Sequence, residues 1–183
     1  MRIIGGTYRG KKLITPVDDL IRPTTDRMRE TLFNMLEHGN GPGIRGSKIL
    51  DLFAGTGALG IEALSRGAAH VTFVDNNSRS MKLIKQNTDL IKSSENASFI
   101  VADAVKFKYP GTVYDVVFID PPYRKNLVTP ALTNLHEKGL LNTNSIAVIE
   151  YGSDEEIDFT LHFGEIKSRK MGDATFSLLE YLA

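Results

Sequence analysis

From residue 48 onward, short apolar runs alternate with longer segments in which apolar residues recur every three or four positions. The short runs predict buried strands, and the periodic segments predict helices. We expect strands at 48–53, 70–75, 97–101, 114–119 and 145–150, and helices at 58–66, 78–92 and about 127–137. Runs that are apolar on both faces are typical of a parallel sheet covered by helices on both sides. The pattern therefore predicts a doubly wound α/β domain.

The first thirteen residues predict a basic β-hairpin. Two short extended pieces, 2–4 and 11–13, are separated by glycines and by the aromatic Tyr8. The hairpin contains no acid, and its basic residues are Arg2, Arg9, Lys11 and Lys12. This pattern fits a contact to nucleic acid, and it fits equally a solvated ribbon packed on the domain.

A helix is predicted between this hairpin and the core, because Met28, Leu32 and Met35 fall on one face at helical spacing. Its basic residues have two interpretations. They fit a charged outer face, and they also fit a lid, because the segment enters the core just before its first strand and would fold over the following turn. These basic residues are Arg22, Arg27 and Arg29.

Beyond residue 151 the pattern predicts a closing hairpin. Its extended pieces, 159–163 and 175–182, are joined by a basic connection at 167–173. Since the chain has no internal repeat or linker, a length of 183 residues predicts a single domain. Within it, we expect residues 1–45 to form the basic hairpin and the helix that could act as a lid, and residues 46–183 to form the α/β core.

Composition excludes several classes of protein. Equal numbers of acidic and basic residues give a formal net charge of zero, so the chain is no polycation. The absence of cysteine excludes disulfides, thiolate metal sites and cysteine nucleophiles, and the scattered histidines indicate no metal site. Because no apolar run approaches the ~18 residues of a membrane span, and the first residues lack the apolar stretch of a signal peptide, we expect a soluble cytoplasmic protein.

The most informative stretch is 49–60, where an apolar run ends at three glycines with the spacing G-x-G-x-x-G. This order predicts a strand, a tight turn and the start of a helix. Gly55 and Gly57 allow positive φ angles and the close approach of a ligand. Three glycines after a strand also fit a plain turn. Asp75 favours a binding site, since it ends the next strand at roughly the ~20-residue interval at which an acid reaches the ribose of an adenosine-containing cofactor.

Two further acids bear on the cofactor. A carboxylate at Asp51 would repel a pyrophosphate seated on the glycine turn, but it suits the ammonium group of a methionine moiety. Asp51 therefore favours S-adenosylmethionine over a dinucleotide. Asp103 ends the third predicted strand, where it either accepts the adenine amino group or caps a helix.

The tetrapeptide Asp120-Pro121-Pro122-Tyr123 ends the fourth predicted strand, at the sheet edge where ligands bind in open α/β sheets. The exocyclic amine of a base is a poor nucleophile, because its lone pair is delocalised into the ring. Two acceptors that bind its hydrogens, here the Asp120 carboxylate and the Pro121 carbonyl, would direct the lone pair at a methyl donor. Tyr123 would stack on the extruded base. Alone, the tetrapeptide also fits a strand-ending turn, whereas with the glycine turn it predicts an amino-methyltransferase.

These motifs together resemble the RsmD family of bacterial methyltransferases, which modify the exocyclic N2 of one guanine in 16S ribosomal RNA. The resemblance covers nearly the whole chain, in segments 2–6, 9–13, 22–30, 51–57, 120–123 and 170–173. It implies a Rossmann-like class I methyltransferase fold with a seven-stranded, mostly parallel sheet whose last strand is antiparallel. It also implies S-adenosylmethionine as cofactor, and a small-subunit ribosomal RNA or 30S assembly particle as partner. We expect the protein to be a monomer.

The resemblance carries functions onto named residues. The implied cofactor-binding residues are Thr24, Asp51, Gly55, Gly57, Asp75, Asp103 and Ala104. The implied catalytic residues are Asp120, Pro121 and Tyr123. The implied RNA-binding residues are Arg2, Arg9, Lys11, Lys12 and Arg22. Met171 departs from the family pattern, in which an aromatic residue is expected, so a stacking role for its loop does not follow.

Three other classes share some of these features. An adenine-N6 methyltransferase would use the same Asp-Pro-Pro-Tyr chemistry, but such enzymes usually carry a separate target-recognition domain. A nucleic-acid-binding module would need neither Asp120 nor the glycine turn. A nicotinamide dehydrogenase would need a substrate domain and conflicts with Asp51.

Overall fold

The computed structural model describes residues 1–15, 26–39, 41–109, 111–159 and 162–183. Within these ranges the helices are α1 Asp26–Glu37, α2 Ala58–Ser65, α3 Ser78–Leu90 and α4 Val128–Glu137. The strands are β1 Lys48–Leu52, β2 His70–Asp75, β3 Ala97–Val101, β4 Tyr114–Ile119, β5 Leu141–Gly152, β6 Phe163–Met171 and β7 Ala174–Tyr181. Short 3₁₀ turns cover Ser94–Asn96 and Ala104–Lys106.

The described strands form one sheet in the order β3-β2-β1-β4-β5-β7-β6. Strands β1 to β5 pair in parallel, whereas β7 is antiparallel to both of its neighbours. The strand order reverses between β1 and β4, which is the point at which doubly wound sheets bind ligands. The predicted fold class is therefore confirmed, including the antiparallel last strand.

Alternate residues of the central strands face opposite layers of the core. On β1, Ile49 belongs to a cluster that includes Phe33 of α1 and Phe73 of β2. Leu50 and the rest of the other face pack with α4 and the residues around it. Because both faces are buried, the strands read as continuous apolar runs, which is why their positions could be predicted.

The predicted closing hairpin is partly wrong. The predicted strand at 159–163 contributes only Phe163 to a strand among its described residues, and most of the predicted basic connection lies in β6. The turn of the hairpin is instead Gly172, with φ of 67°, and Asp173. Strand β6 is an edge strand with exposed side chains through most of its length, so it lacks the apolar alternation that marks a half-buried strand.

The N-terminal hairpin is present, with an antiparallel bridge between Arg2 and Lys12. It lies against α2, where the buried Glu62 carboxylate accepts hydrogen bonds from the backbone N–H groups of Ile4 and Gly5, at 2.8 and 2.7 Å. A Cβ on Gly6 would lie 1.9 Å from the Ser65 carbonyl oxygen, so this contact requires glycine.

Helix α1 forms as predicted, but the outer-face interpretation is wrong for Arg29. This side chain is 1% exposed, because the hairpin and α2 cover that face of the helix. Its guanidinium donates to the Arg2 carbonyl and to Asp26, and it lies 3.9 Å from the Glu62 carboxylate. Arg22 and Thr24 lie outside the described residues.

Candidate functional site

A cavity of about 770 Å³ opens at the carboxyl edge of the parallel strands. The turns that follow β1, β2, β3 and β4 all contribute to its wall. The predicted cofactor-binding and catalytic residues that line it are Asp51, Gly55, Asp75, Asp103, Ala104, Asp120, Pro121 and Tyr123. The topology therefore brings both predicted groups of residues into one space.

The glycine turn after β1 shapes one end of the cavity. Gly55 has φ of 52°, and a Cβ on it would meet only the Phe53 carbonyl oxygen, at 3.8 Å. Gly57 caps α2 with φ of 74°, but it faces away from the cavity, since a Cβ there would lie 2.8 Å from Ile84 of α3. Gly55 thus leaves room for a ligand, whereas Gly57 permits close helix packing.

Asp75 is held by the backbone of two turns. One carboxylate oxygen accepts the Gly55 N–H at 2.8 Å, and the other accepts the Asn77 N–H at 2.8 Å. These bonds link the glycine turn to the start of α3 and fix the carboxylate at the wall of the cavity. The acid predicted to reach a ribose is therefore preorganised.

Asp51 is 2% exposed and accepts a hydrogen bond from the Gly60 N–H at 3.0 Å. Burial, to which the negative charge of Asp75 adds, raises the pKa of Asp51 to about 8. The third glycine of the motif is explained by the same contact. A Cβ on Gly60 would lie 2.9 Å from an Asp51 carboxylate oxygen and 2.3 Å from the Phe73 ring.

Asp120 and Glu150 form a pair of acids at the ends of β4 and β5. The register pairs Ile119 with Ile149, so the two acids that follow are neighbours across the strands. Burial, to which the charges of Glu150 and then Asp51 add, raises the pKa of Asp120 well above its usual range. The Tyr123 hydroxyl donates a hydrogen bond to Glu150, and this bond fixes the ring beside the pair.

Asp103 is a cap, as one of its two interpretations predicted, and it also lies in the cavity wall. Its carboxylate accepts the Val105 N–H at 3.1 Å, which caps the 3₁₀ turn that follows β3. The same residue lines the cavity beside the buried Ala104.

Several residues of the cavity wall were not predicted. Glu150 is the most important of them, and it carries the same signal as Asp51, Asp75 and Asp120, namely an acid at the end of an apolar strand. Met171, the departure from the family pattern, places its thioether side chain in the wall. The other unpredicted lining residues are Met28, Phe53, Ala54, Thr56, Ala58, Leu59, Asn76, Asn77, Ser80, Val105, Pro122, Leu127 and Ala174.

The predicted RNA-binding residues that the structure describes lie outside the cavity wall. Arg2 pairs with Asp26 at 2.8 Å, and the Lys11 ammonium donates to the Leu90 carbonyl at the end of α3. The hairpin tip is held by Ser65, at the far end of α2 from the glycine turn. Because α2 has eight residues, this end lies about 12 Å along the helix from the cavity.

No group of three or more histidine, aspartate or glutamate side chains among the described residues is arranged to hold a metal ion. None of the described helices is long and apolar enough to cross a membrane.

The fold and the cavity define the protein as a Rossmann-like methyltransferase. The chain belongs to the family described as Conserved hypothetical protein 95, whose model matches residues 1–180. It is 43% identical over 152 residues to the Ribosomal RNA small subunit methyltransferase D of Escherichia coli strain K12, covering 82% of this chain and 74% of that one. The protein of the same name from Haemophilus influenzae is 38% identical, over 98% of this chain and 93% of its own.

A solved structure supports the same family assignment. The Escherichia coli protein yhhF superposes on 100% of this chain with a TM-score of 0.87 and 35% identity, and 98% of that chain is covered. The resemblance to the RsmD family is thereby confirmed.

Proposed function

We propose that this protein transfers a methyl group from S-adenosylmethionine to the exocyclic N2 of one guanine in small-subunit ribosomal RNA. One observation carries the proposal: the glycine turn and the Asp-Pro-Pro-Tyr segment line a single cavity at one sheet edge. The names of the two relatives support ribosomal RNA of the small subunit as the substrate.

The end of the cavity formed by Asp51, Gly55, Asp75 and Asp103, the cofactor half, fits S-adenosylmethionine. The space beside Gly55 is open, so a ligand could lie there, whereas a side chain at this position would occupy the space. Asp51 would face the positively charged methionine end, Asp75 the ribose and Asp103 the adenine amino group. When bound, S-adenosylmethionine supplies an electrophilic methyl group on a positively charged sulfur.

The other end, formed by Asp120, Pro121, Tyr123 and Glu150, is the base half. The Asp120 carboxylate and the Pro121 carbonyl would each accept a hydrogen bond from the N2 amine. The nitrogen lone pair would then point toward the cofactor half. Tyr123, whose hydroxyl is anchored on Glu150, would stack on the extruded guanine. Catalysis in this scheme rests on positioning and on fixed charges.

The raised pKa of Asp120 bears directly on this role. A protonated carboxyl would offer a donor to an amine that itself needs acceptors, so the ionised form is the active one. A cationic cofactor next to the cavity wall favours that ionised form. The base half is therefore best suited to its task once the cofactor half is filled.

The N-terminal hairpin is proposed to grip RNA at a distance from the reacting base. Its exposed basic residues suit phosphates, and its tip lies at the far end of α2 from the cavity. We propose a monomeric cytoplasmic enzyme that acts on small-subunit RNA, either free or in a 30S assembly particle. Recognition would then depend on the fold of the substrate around the target as well as on the base.

The test is transfer of a labelled methyl group from S-adenosylmethionine to small-subunit RNA and to 30S particles that lack the modification. Mass spectrometry of the nucleosides is expected to find N2-methylguanosine at one site. Label in N6-methyladenine would leave the cofactor assignment intact but overturn the proposed substrate in favour of the adenine alternative. No incorporation into either substrate, with a folded enzyme, would contradict the proposal.

A further inference from the structure

Glu150 lies in the cavity wall, but the proposed reaction gives it no direct contact with the target base. It is 6% exposed, near the end of β5, and it lines the same wall as Asp120. The register places it next to Asp120 across the two parallel strands, which lie about 4.8 Å apart. The base half therefore presents two neighbouring carboxyl groups.

Tyr123 fixes the direction of the Glu150 carboxyl group. The tyrosine hydroxyl donates to one carboxylate oxygen, and both side chains line the cavity. An acid held in this way is an oriented acceptor rather than a mobile surface charge. Burying an acid costs free energy unless partners compensate for its lost hydration. A second buried acid beside Asp120 is therefore a candidate for binding the substrate.

The donors and acceptors on the Watson–Crick edge of each base indicate which base two adjacent carboxylates would bind. Guanine presents two adjacent donors, N1–H and the N2 amine, and adenine presents an acceptor, N1, beside its amine. Two adjacent carboxylates complement two adjacent donors, whereas one of them would face the lone pair of adenine N1. Flipped bases are read through hydrogen bonds to this edge.

We propose that Glu150 accepts a hydrogen bond from N1–H of the target guanine, and that it thereby selects guanine over bases whose N1 is an acceptor. This inference rests on the proposed function and names the element of the site that sets its base specificity. Asp120 and Pro121 orient the amine, and Glu150 reads the ring nitrogen next to it. A base without the N1 proton would leave a buried carboxylate facing an acceptor.

The experiment uses small-subunit RNA, ligated from two fragments, with either guanine or 2-aminopurine at the target position. The analogue keeps the N2 amine but has an unprotonated N1. We expect the parent enzyme to methylate guanine about 10- to 100-fold faster than 2-aminopurine. Equal rates on the two bases would overturn the inference whatever the variants do.

The variant Glu150→Gln keeps the shape and an acceptor for the Tyr123 hydroxyl, but its amide can turn a donor toward N1. We expect it to lower the rate on guanine at least about tenfold and to shrink the guanine to 2-aminopurine ratio by a similar factor. Affinity for S-adenosylhomocysteine should stay within about twofold. An unchanged ratio would mean that Glu150 does not read the base.

Two further variants separate direct recognition from positioning. Tyr123→Phe removes the hydroxyl that holds Glu150, and it should lower both rates while changing the ratio less than Glu150→Gln does. Glu165→Gln changes another carboxylate that accepts a hydroxyl hydrogen bond, from Ser177, outside the cavity wall, and it should change neither rate. If Tyr123→Phe reduced the ratio more than Glu150→Gln does, base selection would depend on Tyr123 rather than on Glu150 and the inference would fail. Absence of any methylation of guanine by the parent enzyme would contradict the proposed function instead.

Discussion

The two halves of the cavity hold their carboxyl groups in different ways. In the cofactor half, both oxygens of Asp75 accept backbone N–H groups, so the turns of the fold fix the acid. In the base half, Asp120 lies beside Glu150, and burial together with that charge raises its pKa. The difference indicates that one half is a rigid receptor before any ligand arrives. Under the proposed function, the donors of the target base and the positive charge of the cofactor would balance the charges of the other half.

Asp51 belongs to the cofactor half but shares the electrostatic character of the base half. It has one backbone donor, from Gly60, and its pKa is raised to about 8. Its charge also contributes to the raised pKa of Asp120. Asp51 therefore contributes to the electrostatics of both halves.

The largest expected effect concerns Asp120. Asp120→Ala removes an acceptor that the amine needs, so kcat should fall about 10²- to 10³-fold, as for loss of one preorganised catalytic hydrogen bond. Binding of S-adenosylhomocysteine should persist, because the cofactor half is untouched. Single-turnover methyl transfer with saturating RNA measures the rate. Unchanged turnover would show that Asp120 has no role in orienting the amine.

A smaller effect is expected from Asp51→Asn. In the proposed complex the cationic methionine end of S-adenosylmethionine would favour the ionised form of Asp51, a charge that asparagine cannot supply, so binding should weaken about tenfold, equivalent to about 1.4 kcal/mol. The amide oxygen can still accept the Gly60 N–H, so the turn should keep its shape. Asp115→Asn, a change of acid at the opposite end of β4, is the matched control and should bind normally. Equal affinities of Asp51→Asn and the parent would remove Asp51 from the cofactor half.

The raised pKa of Asp51 also predicts how the free energy of unfolding depends on pH, and Asp51→Asn tests this. Because the pKa of Asp51 is raised from 3.8 to about 8, the folded protein retains a proton that the unfolded chain releases between about pH 4 and pH 8. The free energy of unfolding should therefore fall as pH rises through this window, by at most about 1.4 kcal/mol per pH unit for this group. Asp51→Asn should remove this loss.

Denaturant unfolding at pH 5 and pH 7.5 tests the expectation. The stability of Asp51→Asn relative to the parent should be greater at the higher pH. A difference that is the same at both pH values would mean that Asp51 is ionised in the folded protein.

The smallest expected effect concerns the N-terminal hairpin. Replacing Arg9, Lys11 and Lys12 by alanine should weaken RNA binding and reduce the slope of log affinity against log salt by up to about 2 to 3, since each lost phosphate contact contributes about 0.7 to 0.9. The loss should be independent of the target base. Identical salt slopes for variant and parent would make the hairpin structural.

A matched variant distinguishes a specific contact from a change in net charge. Lys82, Lys85 and Lys138 are exposed lysines on α3 and at the end of α4, and alanine at these three positions removes the same formal charge. We expect this control to change the salt slope less than the hairpin variant does. Equal slopes for the two variants would argue against a specific grip.

The central strands and the acids at their ends could be predicted from sequence for a physical reason. Strands β1, β2 and β4 are buried on both faces, so they appear as apolar runs, and an acid that ends such a run marks the carboxyl edge. Edge strand β6 is exposed and gives no such signal. The predicted β5 began too late, because Asn142 and Thr143 are polar and exposed.

Two residues show where sequence reasoning stopped. Glu150 ends the predicted strand 145–150, but neither a glycine turn nor an Asp-Pro-Pro-Tyr segment accompanies it, so no motif marked it as a site residue. Arg29 looked like a surface residue of an amphipathic helix, and only the packing of the hairpin on α1 and α2 buries it. The burial of Arg29 depends on neighbours that are distant in the chain, which a local pattern does not contain.

The most direct test of the division into two halves is titration calorimetry of S-adenosylhomocysteine into the parent, Asp120→Ala and Asp51→Asn, with NAD as the competing cofactor. We predict one site per chain, the same affinity for parent and Asp120→Ala within about twofold, weaker binding by Asp51→Asn and no binding of NAD. Tight binding of NAD without S-adenosylhomocysteine, or a loss in Asp120→Ala as large as that in Asp51→Asn, would contradict the account.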